Sequence, residues 1–281
     1  MVEANAYRAG VLSVLTRRRS APRHSRITAA VATFALIGAL GAGCTRDTAT
    51  GPAPGPDITA CAAEPDRPLV YLDTGGDPTG FSFVLLSDIV ERRRGALRLD
   101  RVSAGRVVAR LLDGSCDTIV STVTDDPTQL ETVDLSTSFT DDDLAFAVRA
   151  LDAPTLPSAA SLAGRPIGTV EGSAADTWLS TNAPPGSTVS RFPGDGDVFA
   201  ALRKGRVDAV VTRRIAIAHR TTQDDAISLG EVIPTGRSIG FAVRPGDAAT
   251  LEFLNSGLAE LDEDGSLAEL RQRWFGDQSD G

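Results

Sequence analysis

Residues 117–139 read DTIVSTVTDDPTQLETVDLSTSF. Thr118 to Val123 is a continuous, apolar-centred run rich in β-branched residues, the pattern of a strand in the middle of a parallel sheet. Three hydroxyls (Ser121, Thr122, Thr124) and the pair Asp125-Asp126 then lead into a helical turn, with no positive charge anywhere in the stretch. A strand ending in hydroxyls and a short loop is built to hold a small polar molecule. Such a loop would normally carry a cation, and this one does not.

Outward from that strand, short β-branched runs alternate with helical patterns, the signature of an α/β sheet with crossover helices. Before it, the spacing predicts a strand at Pro68–Leu72, a helix at Phe83–Arg93, a strand at Leu97–Val102 and a helix at Ala104–Leu112 closed by Asp113-Gly114. After it a second unit begins. It has strands at Pro166–Val170, Thr188–Phe192 and Val207–Thr212, a helix at Ser173–Thr181 capped by Ser173, and one at Val198–Arg203 with Asp197 as N-cap. A helical run at Leu251–Leu261, a turn at Asp264-Gly265 and a short helix ending in RQRWFG complete the chain. The word FAVR occurs twice, at 146–149 and 241–244, each time after one unit and before the other. These are read as two strands crossing between lobes, although the composition of the chain also allows a coincidence.

The N-terminal 43 residues stand apart. Arg17, Arg18, Arg19, Arg23 and Arg26 precede an apolar run, Ile27 to Gly43, that ends at Cys44, which describes a secretory signal. LGAGC resembles a bacterial lipobox, with Gly41 where leucine is usual, so Cys44 is the expected lipidation site. The alternative is an uncleaved anchor, since 17 residues are just enough to span a bilayer. Thr45–Pro56 is a Pro/Gly/Thr tether. Residues 1–43 hold six arginines and one glutamate; without them 22 basic residues face 36 acidic ones, a net charge of −14. That excludes the basic footprint nucleic acid requires. Cys61 and Cys116 remain, and export to an oxidising space makes a disulfide their leading reading, worth about 4 kcal/mol for a loop of roughly 55 residues. Two buried thiols are the alternative.

Five segments in order resemble the extracellular solute-binding proteins of polar amino-acid ABC importers: GFSFVLLSDIV (80–90), residues 117–139, LAGRPIGTVEGSAADTWL (162–179), ALRKGRVDAVV (201–211) and LDEDGSLAELRQRWFG (261–276). The resemblance implies a two-lobed α/β "flytrap", the periplasmic-binding-protein fold with two hinge crossings, closing on a solute and docking to a membrane permease. It divides the chain into a signal (1–43), a linker (44–57), lobe 1 (58–145 plus 242–276) and lobe 2 (150–238). The chain is expected to be a monomer, anchored outside the cell membrane by lipid on Cys44, with no cofactor and no metal.

Carried over residue by residue, the resemblance places Asp73, Ser121, Thr122, Thr124, Gln129, Gly172, Ser173 and Arg213 at the ligand. The chain departs from the pattern where it matters most. The arginine that clamps a ligand carboxylate falls on Gln129, the loop threonine on Asp126, and the aspartate that binds an ammonium on Arg213. Val84 and GGDPTG replace further ligand-side positions. Three readings follow. In the first, a ligand's acidic group faces Arg213 or Arg214 and the backbone at Gly172–Ala174, with Asp73 and Asp126 meeting any cation. In the second, the protein is a sensory or partner-binding lipoprotein that has lost amino-acid binding. In the third it is an enzyme on this scaffold, but no nucleophile motif or acid/base pair stands out, so no catalytic residue is expected.

Several conspicuous residues carry plainer expectations. His219, the one histidine after the signal, is expected at the surface, and Trp178 and Trp274 in packing. Asp141-Asp142-Asp143 lacks the spacing of a calcium loop and reads as a solvated turn. Arg213 either enters the cleft or pairs with Asp224 or Asp225 outside it.

Overall fold

The computed structural model describes residues 55–63, 65–124 and 126–276; the signal, Cys44 and most of the linker lie outside them. Lobe 1 opens with β1 (Asp57–Ala63), a small hairpin of β2 (Tyr71–Leu72) and β3 (Pro78–Thr79), helix α1 (Phe81–Arg92), β4 (Ala96–Val102), α2 (Val107–Leu112) and β5 (Thr118–Ile119). A short helix α3 (Pro127–Leu130), β6 (Asp134–Leu135) and β7 (Thr140–Asp141) lead out of it. Lobe 2 runs from β8 (Leu144–Arg149) through β9 (Pro166–Val170), α4 (Ala174–Asn182), β10 (Thr188–Phe192), α5 (Asp195–Arg203), β11 (Ala209–Arg213), α6 (Arg214–Thr221) and β12 (Ile227–Ile233). The chain returns through β13 (Ser238–Ile239) and β14 (Ala242–Val243) to α7 (Ala248–Glu263) and α8 (Ser266–Phe275). None of these helices is long and apolar enough to cross a membrane.

The two sheets are built alike. Their strand orders are β4-β1-β5-β14-β6 and β10-β9-β11-β8-β12, with the first three strands parallel and the fourth antiparallel in each. DTIVST (117–122) in lobe 1 corresponds to DAVVTR (208–213) in lobe 2. Ile119 faces Ala242 and Val210 faces Ala147, so the two FAVR strands lie in the same register on the two central strands. Their arginines also do the same work. Arg244 donates to the Cys116 carbonyl at 2.7 Å and Arg149 to the Val207 carbonyl at 2.9 Å, in each case the residue before the aspartate. The repeated word is therefore a structural repeat inside the two sheets and not the pair of crossings expected of it, which fall just before each copy, at β7 and β13.

Three sequence expectations change. The first strand of lobe 1 is Asp57–Ala63; of Pro68–Leu72 only Tyr71-Leu72 is strand, and it belongs to the hairpin. The alternation of β1 is disguised because both of its faces are covered, which buries Ala60, Cys61 and Ala62 completely. The central strand is shorter than its apolar run and has an antiparallel neighbour on one side. Helix α5 begins at Asp195 with Gly194 as N-cap, rather than at Val198 with Asp197 as N-cap. Ser173 caps α4 as expected, its Oγ accepting from the Asp176 N–H.

The lobes join through their backbone crossings and through an apolar contact. Strands β7 and β13 pair antiparallel as the two crossings, Ser238 with Asp141 and Ile239 with Thr140. Helix α6 adds Ile215 and Ala218 to the large apolar cluster of lobe 1, beside Leu267, Leu270 and Phe275 of α8. His219 stacks on Trp274 at 5.0 Å between ring centroids, and its Nδ1 lies 3.1 Å from the Trp274 carbonyl oxygen. It is thus a packing residue, half-buried between α6 and α8, and not the surface residue expected.

Helix α1 supplies much of that core. It buries Phe81, Leu85, Leu86, Ile89 and Val90, each worth about 1.5–3 kcal/mol on removal from water. Gly257 on α7 lets the two helices touch: a Cβ there would stand 2.4 Å from Ile89 Cγ2. Gly257→Ala should therefore cost about 1–3 kcal/mol by overpacking, measured as a lower denaturant midpoint with unchanged m-value. Cys61 and Cys116 form a disulfide with 5.8 Å between their Cα atoms, 55 positions apart in sequence. The double Cys→Ser variant should lose about 4 kcal/mol, read as a thermal midpoint lowered by roughly 10 °C.

Candidate functional site

A cavity of about 600 Å³ lies between the lobes. Lobe 1 contributes Pro65, Arg67 and Thr122; lobe 2 contributes the starts of two helices, Ser173–Ala175 of α4 and Gly194–Gly196 of α5, together with Thr212 and Arg213. The equivalent central strands β5 and β11 end at its floor, because Thr122 and Arg213 occupy matching positions in the two lobes.

These two residues touch. The Arg213 guanidinium donates to Thr122 Oγ1, to Asp66 Oδ1 at 2.5 Å and to the Arg67 carbonyl at 3.1 Å. Asp66 Oδ2 in turn accepts from both the Thr122 N–H and the Thr122 hydroxyl at 2.6 Å. Thr122 can do this because its hydroxyl donates to the carboxylate while accepting from the guanidinium. The side chains are only 20% and 13% exposed, so this is a sheltered ion pair across the lobes. Burial opposes the charge on Arg213, but the carboxylates of Asp66 and Asp142 outweigh it and hold the guanidinium above its ordinary pKa. Arg213 is therefore inside the cleft. The surface partner considered for it, Asp224, is taken by Arg203 at 2.9 Å.

The missing cation of the 121–136 loop is thus supplied twice from elsewhere. Arg213 reaches Thr122, and Arg237, just before β13, meets Asp126 Oδ2 at 2.5 Å. Asp126 is the N-cap of α3, and the Thr128 hydroxyl and N–H together with Arg237 draw its carboxyl below the usual range. The cation that Asp126 was expected to meet belongs to the chain itself.

Of the eight residues expected at the ligand, Thr122, Ser173 and Arg213 line the cavity. The others do not. Asp73 is exposed in the β2–β3 turn, where its Oδ1 accepts from the Gly75 and Asp77 N–H groups. Ser121 is buried and accepts from the Ala63 N–H at 3.4 Å. Thr124 is buried too; its N–H donates to the Gln129 side-chain oxygen at 3.0 Å, which occupies that amide. Gly172 has φ +71°, and its N–H is spent on Asp176 Oδ2 at 3.0 Å. Arg214 is buried with its backbone N–H on the Asp143 carbonyl, outside the cavity lining.

Sequence reasoning missed Asp66, Arg67, Asp142 and Asp195. Arg67 stacks over Tyr71 at 3.7 Å. Asp142 is the plainest correction, because the triplet taken for a solvated turn lies on the crossing and puts Asp142 on the cavity wall. Its Oδ1 is sealed from water and has no hydrogen-bond partner. Burial pushes its pKa up to about 6; Arg213 opposes this and Asp66 adds to it. Asp195, which heads α5, is likewise raised by burial. No cluster of metal-ligating side chains occurs among the described residues.

The region from β1 to the end of α8 matches the bacterial extracellular solute-binding proteins, family 3, over residues 58–277. The chain belongs to that family. This solute-binding protein is 26% identical over 211 residues to the L-cystine-binding protein TcyJ of Escherichia coli K12, covering 74% of this chain and 79% of that protein. It is 22% identical over 213 residues to the ABC transporter arginine-binding protein 1 of the same organism, covering 74% and 86%. Its fold is that of the second substrate-binding domain of GlnP from Lactococcus lactis in the open conformation, with a TM-score of 0.71 at 21% identity, covering 80% of this chain and 97% of that one.

The raised pKa of Asp142 fixes the sign of a stability effect. Folding favours its protonated form, so the contribution is full below about pH 4 and is lost as pH rises through about 6. Asp142→Asn should therefore stabilise the unliganded protein by up to about 3 kcal/mol at pH 7.5, and the gain should fade toward pH 4, read from thermal unfolding against pH.

Proposed function

We propose that this protein captures an amino acid or a related small polar solute between its lobes and delivers it to an ABC permease, acting as a monomer held outside the cell membrane by lipid on Cys44. One observation carries the reading. The cavity is walled by both lobes, and two helices of nine residues, α4 and α5, begin at it. First-turn N–H groups lack carbonyl partners within their own helix and attract negative charge. Ser173–Ala175 is thus the receiving point for a ligand carboxylate, and Thr122 the lobe-1 contact. A solute that touches both lobes only when they approach shifts the population toward the closed form. The names of the relatives, which bind cystine and arginine, are consistent with a solute of that class. The chemistry is binding rather than catalysis.

The ion pair between Asp66 and Arg213 favours a second reading, a sensory or partner-binding lipoprotein, because the chain's own carboxylate already sits on the arginine of the cleft. Thermal unfolding of the purified protein against a panel of amino acids, di-acids, amides and sugars separates the two. A ligand at 100 times its dissociation constant adds about 2.7 kcal/mol, a shift of several degrees for a domain of this size. A shift with amino acids is expected; none with any compound leaves the second reading. Cys44→Ala should abolish lipid attachment and release the protein from membranes, read by intact mass and detergent partition.

A further inference from the structure

The cavity holds charges of both signs, and their pairing decides what it can receive. Arg213 is bound to Asp66 and Thr122, so its charge is cancelled before any solute arrives. Arg237, the other arginine near the crossing, is bound to Asp126. Asp143 Oδ1 accepts from the Thr235 N–H. Asp142 faces all of these, namely Arg213, Asp66, Arg237 and Asp143, yet both arginines are engaged by other carboxylates and its own Oδ1 has no partner. Asp195, also on the wall, is raised by burial too, but it stands in the first turn of α5, where the helix N-terminus offsets part of that cost. The cavity wall is therefore short of a cation at Asp142.

We propose that Asp142 receives the ammonium group of the bound amino acid, while Asp66 and Arg213 stay paired as a fixed floor beneath it. This rests on the amino-acid reading above and names the residue that reads the charge of the solute. A buried carboxylate that shares its nearest cation, Arg213, with Asp66 is under-compensated, and an ammonium is the group that completes the balance. The backbone of Asp142 also belongs to the hinge. Its N–H donates to the Arg237 carbonyl at 2.9 Å and its carbonyl accepts from the Thr235 hydroxyl at 3.1 Å, so it ties one crossing to the other. An ammonium held there is attached directly to the element that bends. The aspartate-to-arginine change at position 213 then relocates ammonium binding without abolishing it.

The test is calorimetric titration of L-cystine and L-arginine, each beside its N-acetylated form, into the purified protein and into Asp142→Asn. That variant gains stability without ligand, so loss of binding is not loss of fold, and its thermal midpoint confirms this. At least one of the two amino acids should bind the wild type, its N-acetylated form at least tenfold more weakly, and Asp142→Asn should lose tenfold or more. Wild-type affinity should fall about tenfold from pH 7 to pH 5 as Asp142 protonates, whereas the variant should show no such slope; a structural role alone would not produce that difference. Equal binding of the N-acetylated form, or an unaltered affinity in Asp142→Asn, overturns the inference and leaves the amino-acid reading standing. No binding of either amino acid by the wild type overturns the inference; if the wider panel also fails, the amino-acid reading falls separately.

Discussion

The contact between Asp66 and Arg213 governs the electrostatics of this molecule. It joins the loop after the first strand of lobe 1 to the end of the central strand of lobe 2, and Thr122 completes it from the equivalent strand end in lobe 1. A carboxylate and a guanidinium taken out of water together are tolerable, because each is the other's counter-ion and Thr122 fills their remaining hydrogen bonds. Removing either would strand the other. The pair therefore fixes which charges in the cleft are spent and which are left for a solute.

What remains is an unusual arrangement for a cleft with two arginines on its wall. Arg213 is neutralised, Arg67 lies against Tyr71, and the polar ends of α4 and α5 face an acid that is short of a partner. Positive potential comes from backbone dipoles and from the Arg67 guanidinium, and negative potential from the carboxylates. A zwitterion fits such a field better than a simple anion does, since it satisfies the helix ends and the carboxylate at once.

Much of the architecture was legible in the sequence. The strands at Pro166–Val170 and Thr188–Phe192 have the bounds the pattern predicts, and Ser173 caps its helix, because these features depend on local periodicity and capping. Cys61 and Cys116 could be paired from compartment alone, whereas the doubled FAVR, which suggests the crossings, marks equivalent strands in the two sheets. The cleft was less legible. Asp66 lies in a short loop whose contacts are 56 and 147 positions away in sequence, which no local pattern records. Asp142 sits in an acidic triplet that has the composition of a solvated turn, and only the pairing of β7 with β13 turns it inward. Gly172 and Gln129 were assigned to a ligand on position, but each is occupied by a neighbour within five residues, Asp176 and Thr124.

The paired arginines of the FAVR strands have a mechanical meaning. Arg149 and Arg244 each fasten an incoming strand to the start of the central strand, through the carbonyls of Val207 and Cys116. Each return strand is thereby fastened to its own sheet beyond the crossing, while β7 and β13 pair over only two residues each. Any turning of one lobe against the other would therefore also have to slide α6 over α8, where His219 lies on Trp274.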